Sequence, residues 1–101
     1  MAKRIKIVWT PQAQDDLREI HDFIARDAPI TAKSFIRRLS NSVKRLRTFP
    51  EAASIVPELA NPTIREIFFG QNRIIFHVGS SQIDILTVYH SARLLDQTDL
   101  E

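Results

Sequence analysis

Residues 86 to 93 read LTVYHSAR, a run of strand formers that stops on Tyr89, His90, Ser91 and Arg93. These four side chains are of the types that move protons or hold phosphate charge. If Ile83 to His90 is one regular strand, Ile83, Ile85, Thr87 and Tyr89 share one face and Asp84, Leu86, Val88 and His90 the other. Tyr89 and His90 then point in opposite directions and make no adjacent pair. Ser91 lies outside a Gly-x-Ser-x-Gly elbow, so a serine nucleophile has no support. The chain has no cysteine, which excludes disulfides, thiolate catalysis and cysteine-based zinc sites. His21, His77 and His90 show no HExxH-like spacing, and no glycine-rich phosphate loop is present, so neither a metal nor a cofactor is expected.

Arginine offers a second kind of chemistry. Arg65, Arg73 and Arg93 lie in or just after three successive strand candidates, where an antiparallel meander can bring them together. Clustered guanidiniums can stabilise phosphate charge without metal, as a metal-free ribonuclease requires. The alternative is that they pair with Glu66, Asp84 or a partner's carboxylate. Charge is also unevenly spread, although the net value is only +2. Ala28 to Phe49 holds Lys33, Arg37, Arg38, Lys44, Arg45 and Arg47 and no acid, whereas Asp15 to Asp27 holds five acids against Arg18 and Arg26. Such a basic stripe is either a surface for nucleic acid or an acidic partner, or a solvated helix face.

The elements that must position these residues follow from periodicity. Arg4 to Trp9 alternates, with Ile5, Ile7 and Trp9 on one face of a first strand. Thr10-Pro11 is a helix start, and Ala13, Leu17, Ile20 and Ile24 form one apolar side of the helix that follows. Asp15, Asp16 and Glu19 suit the positive end of its dipole. Pro29 breaks that helix, and a second runs from about Ile30 to Thr48 on Ala32, Ile36, Leu39, Val43 and Leu46. The two should pack as an antiparallel hairpin. Residues 51 to 63 read as an irregular connection. Ile64 to Phe69, Arg73 to Val78 and Ile83 to His90 then read as strands, with Gly70 and Gly79 in the two turns, where positive φ is expected. The fold expected is α+β, in the order β-α-α-β-β-β: a helical hairpin on a small, mainly antiparallel sheet.

At 101 residues, 44% hydrophobic and 26% charged, the chain fits a single domain over residues 1–101. No apolar run reaches the roughly 18 residues of a membrane span, and MAKRIKIVW lacks a signal peptide's apolar core, so a cytoplasmic protein without membrane contact is expected.

Taken in order, VWTPQAQDDLREIHDFI, DAPITAKSFIRRL, RTFPE, IREIFFGQNRIIFHV and ILTVYHSAR resemble the ParE toxins of type II toxin–antitoxin (plasmid stabilisation) modules, within the RelE/ParE superfamily. The resemblance spans roughly residues 5 to 95 and implies the same fold. ParE-like members inhibit DNA gyrase without a catalytic site of their own; RelE-like members are ribosome-dependent endoribonucleases that cut messenger RNA. Arg65, Arg73 and Arg93 match positions commonly basic in the superfamily and would serve the ribonuclease alternative. The segment after Arg93, LLDQTDLE, holds no Tyr, His, Lys or Arg, so a general acid or base from the tail is missing and the gyrase reading is preferred. A third alternative is a relative that has lost toxicity and only binds its antitoxin. The resemblance also implies a cognate antitoxin with a DNA-binding N-terminal domain, a hetero-oligomer formed with it, and contact with operator DNA only through it. Arg37, Arg38 and Arg45 on the basic helix would meet an acidic antitoxin segment. On this reading the Tyr89, His90 and Arg93 motif ends the last strand, with Tyr89 packing toward the core or helices and His90 and Arg93 organising the strand end or touching a partner.

Overall fold

Alternating Ile5, Ile7 and Trp9 place an apolar edge on β1 (Lys6–Trp9), and that edge needs a helix layer to cover it. The layer is a hairpin of α1 (Pro11–Ala25) and α2 (Pro29–Lys44), seen in a computed structural model that describes residues 5–50 and 53–90. α2 gives way to a 3-10 turn over Arg45–Arg47, so the second helix is shorter than its apolar period implies; Leu46 stays buried through the change of pitch. Four further strands follow: β2 (Ser54–Ile55), β3 (Ile64–Phe69), β4 (Asn72–Val78) and β5 (Gln82–His90). They form one sheet in the order β1-β5-β4-β3-β2, with β1 parallel to β5 and every other pair antiparallel. The α+β hairpin-on-sheet order is as expected. β2 is additional: two residues of the supposed irregular connection pair with Glu66 and Arg65.

One face of the sheet packs on the hairpin. Ala13 of α1 and Leu39 and Val43 of α2 meet Ile74 and Phe76 of β4 and Ile83, Ile85 and Val88 of β5. Phe35 of α2 meets Phe69 of β3 edge-on, with centroids 5.3 Å apart. The other face carries a smaller cluster of Val56, Ile64, Ile75 and Tyr89. Among the described residues no helix is long and apolar enough to cross a membrane.

β5 departs from regular alternation. Ile75 lies opposite Thr87 but Phe76 lies opposite Ile85, which leaves Leu86 as an extra residue, a β-bulge. The faces therefore exchange along the strand. Ile83 and Ile85 point to the helices as expected, but beyond the bulge it is Val88 that joins them and Tyr89 that turns to the far face. The expected sharing of one face by Ile83, Ile85 and Tyr89 fails for this reason, and Tyr89 packs away from the helices.

The bulge is bolted to the start of α1. The Thr10 hydroxyl donates to the Ile85 carbonyl at 2.6 Å and accepts from the Ala13 N–H at 3.3 Å, so one side chain caps the helix and holds the strand. Asp16 accepts from the Thr87 hydroxyl at 2.6 Å and from the Val88 N–H at 2.9 Å. The first turn of α1 holds no acid, so the carboxylate first read as complementing the helix dipole serves instead as a link to β5, 71 and 72 positions along the chain.

The two glycines differ. Gly70 has φ of +59° at the first position of the two-residue loop between Phe69 and Asn72, the pattern of a type II′ hairpin. Gly79 does not have positive φ; a Cβ there would sit 3.1 Å from the Gln82 carbonyl oxygen, so it supplies space where its N–H closes on that same oxygen.

Asp16→Ala removes the acceptor for the Thr87 hydroxyl and the Val88 N–H and is expected to destabilise the fold by about 2 kcal/mol. Asp16→Asn keeps one acceptor and should lose roughly half as much. Urea denaturation of the two variants beside the parent protein measures both.

Candidate functional site

Arg73, one of the three arginines that the sequence offers for phosphate chemistry, lies near the start of β4 on the sheet face away from the helices. Its guanidinium is only 5% exposed and is fully engaged. Nη1 and Nη2 donate to the two Glu58 oxygens at 2.6 and 2.9 Å, while Nε and Nη2 donate to Glu66 Oε1 at 2.9 and 2.5 Å. The Tyr89 ring sits beneath, 5.6 Å from the guanidinium carbon. The hydrogen bonds that Arg73 donates to Glu58, joined by those to Glu66, hold its pKa well above the ordinary value, although burial opposes them. Glu58 lies in the β2–β3 loop, so the ion pairs clasp that loop over the open face. At Arg73 that face sets two carboxylates, Glu58 and Glu66, against one guanidinium. Further along it His77 Nδ1 lies 3.9 Å from Asp84 Oδ2, beside a cleft of about 410 Å³ that Leu59, Asn61, Ile64 and Leu86 help to line.

Arg65 is not beside Arg73. It pairs with Phe76, which points into the helix-side core, whereas Arg73 pairs with Tyr89 on the far face. Arg65 instead donates from Nε to the Pro62 carbonyl at 2.8 Å and from Nη1 to the Ala53 carbonyl at 3.1 Å, holding both ends of the β2–β3 connection. The meander therefore puts the sheet between the two arginines. Arg93, like Ser91, lies outside the described residues. Glu66 is one of the carboxylates named as a pairing alternative; Glu58, in the connection read as irregular, was not. Its signal was weak, because a glutamate between Pro57 and Leu59 fixes neither the loop's path nor its partner.

At the end of β5, Tyr89 and His90 do point to opposite sides. His90 is exposed, with Nε2 3.1 Å from Gln71 Oε1 across the β3–β4 turn. Beside it a groove of about 870 Å³ runs along α1, floored by Ile20, Phe35 and Val88 and rimmed by Glu19, Asp22 and Phe23. Phe23 is 70% exposed there. On the far side of the hairpin, Arg37, Arg38 and Arg45 are all exposed and make no ion pair among the described residues. Among the described residues no three His, Cys, Asp or Glu side chains are grouped to hold a metal.

Comparison with known proteins agrees with this fold. The ParE toxin family of the type II toxin–antitoxin system parDE matches residues 7–95. A relative from Caulobacter vibrioides, Toxin RelE2, is 31% identical over 90 residues, covering 88% of this chain and 98% of the relative. The structure of a chromosomal ParDE toxin–antitoxin system from P. aeruginosa superposes with a TM-score of 0.74 at 22% identity, covering 88% of this chain and 98% of that one. A RelBE2 toxin–antitoxin complex from Mycobacterium tuberculosis gives 0.57 at 17% identity, covering 86% and 98%. The last two likenesses show the fold alone. The chain belongs to the ParE toxin family of type II toxin–antitoxin systems.

Arg73→Ala strands the buried Glu66 and the largely buried Glu58 carboxylates without their cation, and we expect it to cost about 3–5 kcal/mol. Replacing Arg73, Glu58 and Glu66 together by Met, Leu and Leu is expected to leave stability within about 1–2 kcal/mol of the parent. Thermal unfolding distinguishes the two cases: a single variant as stable as the parent protein would show that the clasp contributes nothing. Loss of activity in Arg73→Ala is consequently no sign of a catalytic role.

Proposed function

We propose that this toxin acts by binding DNA gyrase, in the cytoplasm, with no catalytic site of its own. The observation that carries this reading is the neutralisation of Arg73 by Glu58 and Glu66 on the open face. A ribonuclease without metal needs unneutralised cations at the scissile phosphate. Here the buried guanidinium is occupied, its neighbours are acidic, and Arg65 is across the sheet. An occupied arginine and an acidic surround favour a protein target over an RNA backbone.

A second reading has one observation in its favour: the relative 31% identical to this chain is named Toxin RelE2. On that reading the chain is a RelE-like endoribonuclease of ribosome-bound messenger RNA, with Arg93 as a candidate for the phosphate.

Neutralisation by a cognate antitoxin belongs to the proposal, since the ParDE and RelBE2 structures are of toxin–antitoxin systems. The surface divides the work. The α1 groove, with Ile20, Phe23, Phe35 and Val88, suits apolar anchors of an antitoxin segment. Arg37, Arg38 and Arg45 suit its acidic residues. Operator DNA is then recognised through the antitoxin.

Inducing this chain alone in a bacterium carrying a DNA-damage-response reporter is expected to raise the reporter as growth stops, with messenger RNA intact. Arrest with a flat reporter and loss of messenger RNA would transfer the assignment to the ribonuclease; unimpeded growth would leave an antitoxin-binding relative. Reversing Arg37, Arg38 and Arg45 together to Glu should weaken the antitoxin complex at least tenfold at low salt. Calorimetry with the neighbouring antitoxin measures this, and unchanged affinity removes α2 from the interface.

A further inference from the structure

The outward face of α2 and its 3-10 extension has an unusual composition. The exposed residues from 31 to 48 are Thr31, Lys33, Arg37, Arg38, Asn41, Lys44, Arg45, Arg47 and Thr48. Six are cations, the rest are small polar residues, and neither an acid nor an apolar side chain is among them. None of the six cations makes an ion pair among the described residues. At 100° per residue Lys33, Arg37 and Lys44 form one row, Arg38 and Arg45 a second, and Asn41 lies between them. Lys33 and Lys44 are separated by about 16 Å along the axis.

We propose that this face docks on the phosphate backbone of duplex DNA, without reading its sequence. Two features favour duplex DNA over a protein or a single-stranded RNA. Protein interfaces draw their affinity from buried apolar and aromatic anchors, and here exposed apolar side chains, Ile30 and Phe49, stand only at the two ends of the face, with none between Thr31 and Thr48. Single-stranded nucleic acid is held by a series of aromatic side chains on which successive bases stack, and this face has one exposed aromatic, Phe49, just past its end. What the face does offer, guanidiniums and ammoniums with interleaved Thr and Asn donors, is what contacts to phosphate oxygens use. No ion pair among the described residues joins these cations to the acids of α1, of which Asp15 is paired locally with Arg18 and Asp16 is bonded to β5.

The inference goes beyond the gyrase proposal. It says that the toxin touches DNA directly, on the residues proposed to meet the antitoxin's acids, so that antitoxin and DNA compete for α2. This contact is independent of sequence, unlike the operator recognition expected through the antitoxin.

Fluorescence anisotropy of the purified full chain with a labelled 20-base-pair duplex, at about 50 to 200 mM salt, tests it. We expect dissociation constants on the order of 10⁻⁶ to 10⁻⁴ M, with log affinity falling linearly in log salt. Lys33→Gln, Arg37→Gln, Arg38→Gln and Arg45→Gln combined should lower the magnitude of the slope by about 3 to 4. Arg18→Gln, outside this face, should leave it unchanged. Circular dichroism checks that both variants are folded. Adding the neighbouring antitoxin should release the duplex. No binding at the lowest salt, or the same slope in the quadruple variant, overturns the inference. So does tighter binding of polyglutamate or single-stranded RNA than of the duplex. If binding fails while the DNA-damage reporter still rises, only this inference falls; if binding holds with a flat reporter, the gyrase reading falls and this one stands.

Discussion

The attachment of α1 to the bulge in β5 is the constraint on which most of the molecule depends. A bulge leaves backbone groups out of the ladder, and buried groups of that kind need partners. Asp16 takes the Val88 N–H and Thr10 donates to the Ile85 carbonyl, one on each side of Leu86. The same Thr10 caps α1, so the helix start and the kink in the strand are fixed by one residue. The helix in turn shields those polar contacts beside a core that includes Ala13, Ile85 and Val88. Cap, bulge and core therefore support one another.

The functional surfaces follow from the face exchange that the bulge produces. Because Val88 turns inward, it can floor the α1 groove beside Ile20 and Phe35. Because Tyr89 turns outward, its ring lies against Arg73 and completes the small cluster over which the β2–β3 loop is clasped. The clasp converts a face that might have held a free guanidinium into one dominated by carboxylates. Among the described residues, six cations without an ion pair lie instead along α2 and its 3-10 extension. Charge thus separates an acidic α1 groove and a carboxylate-bearing open sheet face from a polycationic α2. Each surface is proposed for a different contact.

Much of this was legible in the sequence. The period of Ala32, Leu39 and Val43, the Thr10-Pro11 start and the alternation of Ile64 to Phe69 identified helices and strands, because periodicity reports a two-sided environment directly. The exposed row of Arg37, Arg38 and Arg45 was visible for the same reason: it is what remains after the apolar stripe is assigned. The candidate cluster of Arg65, Arg73 and Arg93 was less accessible. Adjacent strands and similar positions do not say which face each residue takes, and register alone separates Arg65 from Arg73. β2 was hidden because two residues are too few to show a period.

By itself, the sequence determined the element order, the apolar stripes and the charge asymmetry between α1 and α2, all local patterns carried by residues close together in the chain. Only the tertiary structure decided that Leu86 is an extra residue, that Tyr89 leaves the helix side, that Asp16 reaches β5 and that Glu58 and Glu66 occupy Arg73. Each of those depends on a pairing register or on a contact between distant segments. Such choices are made by the joint packing of both sides of the sheet, where a shift of one residue reverses every side chain beyond it.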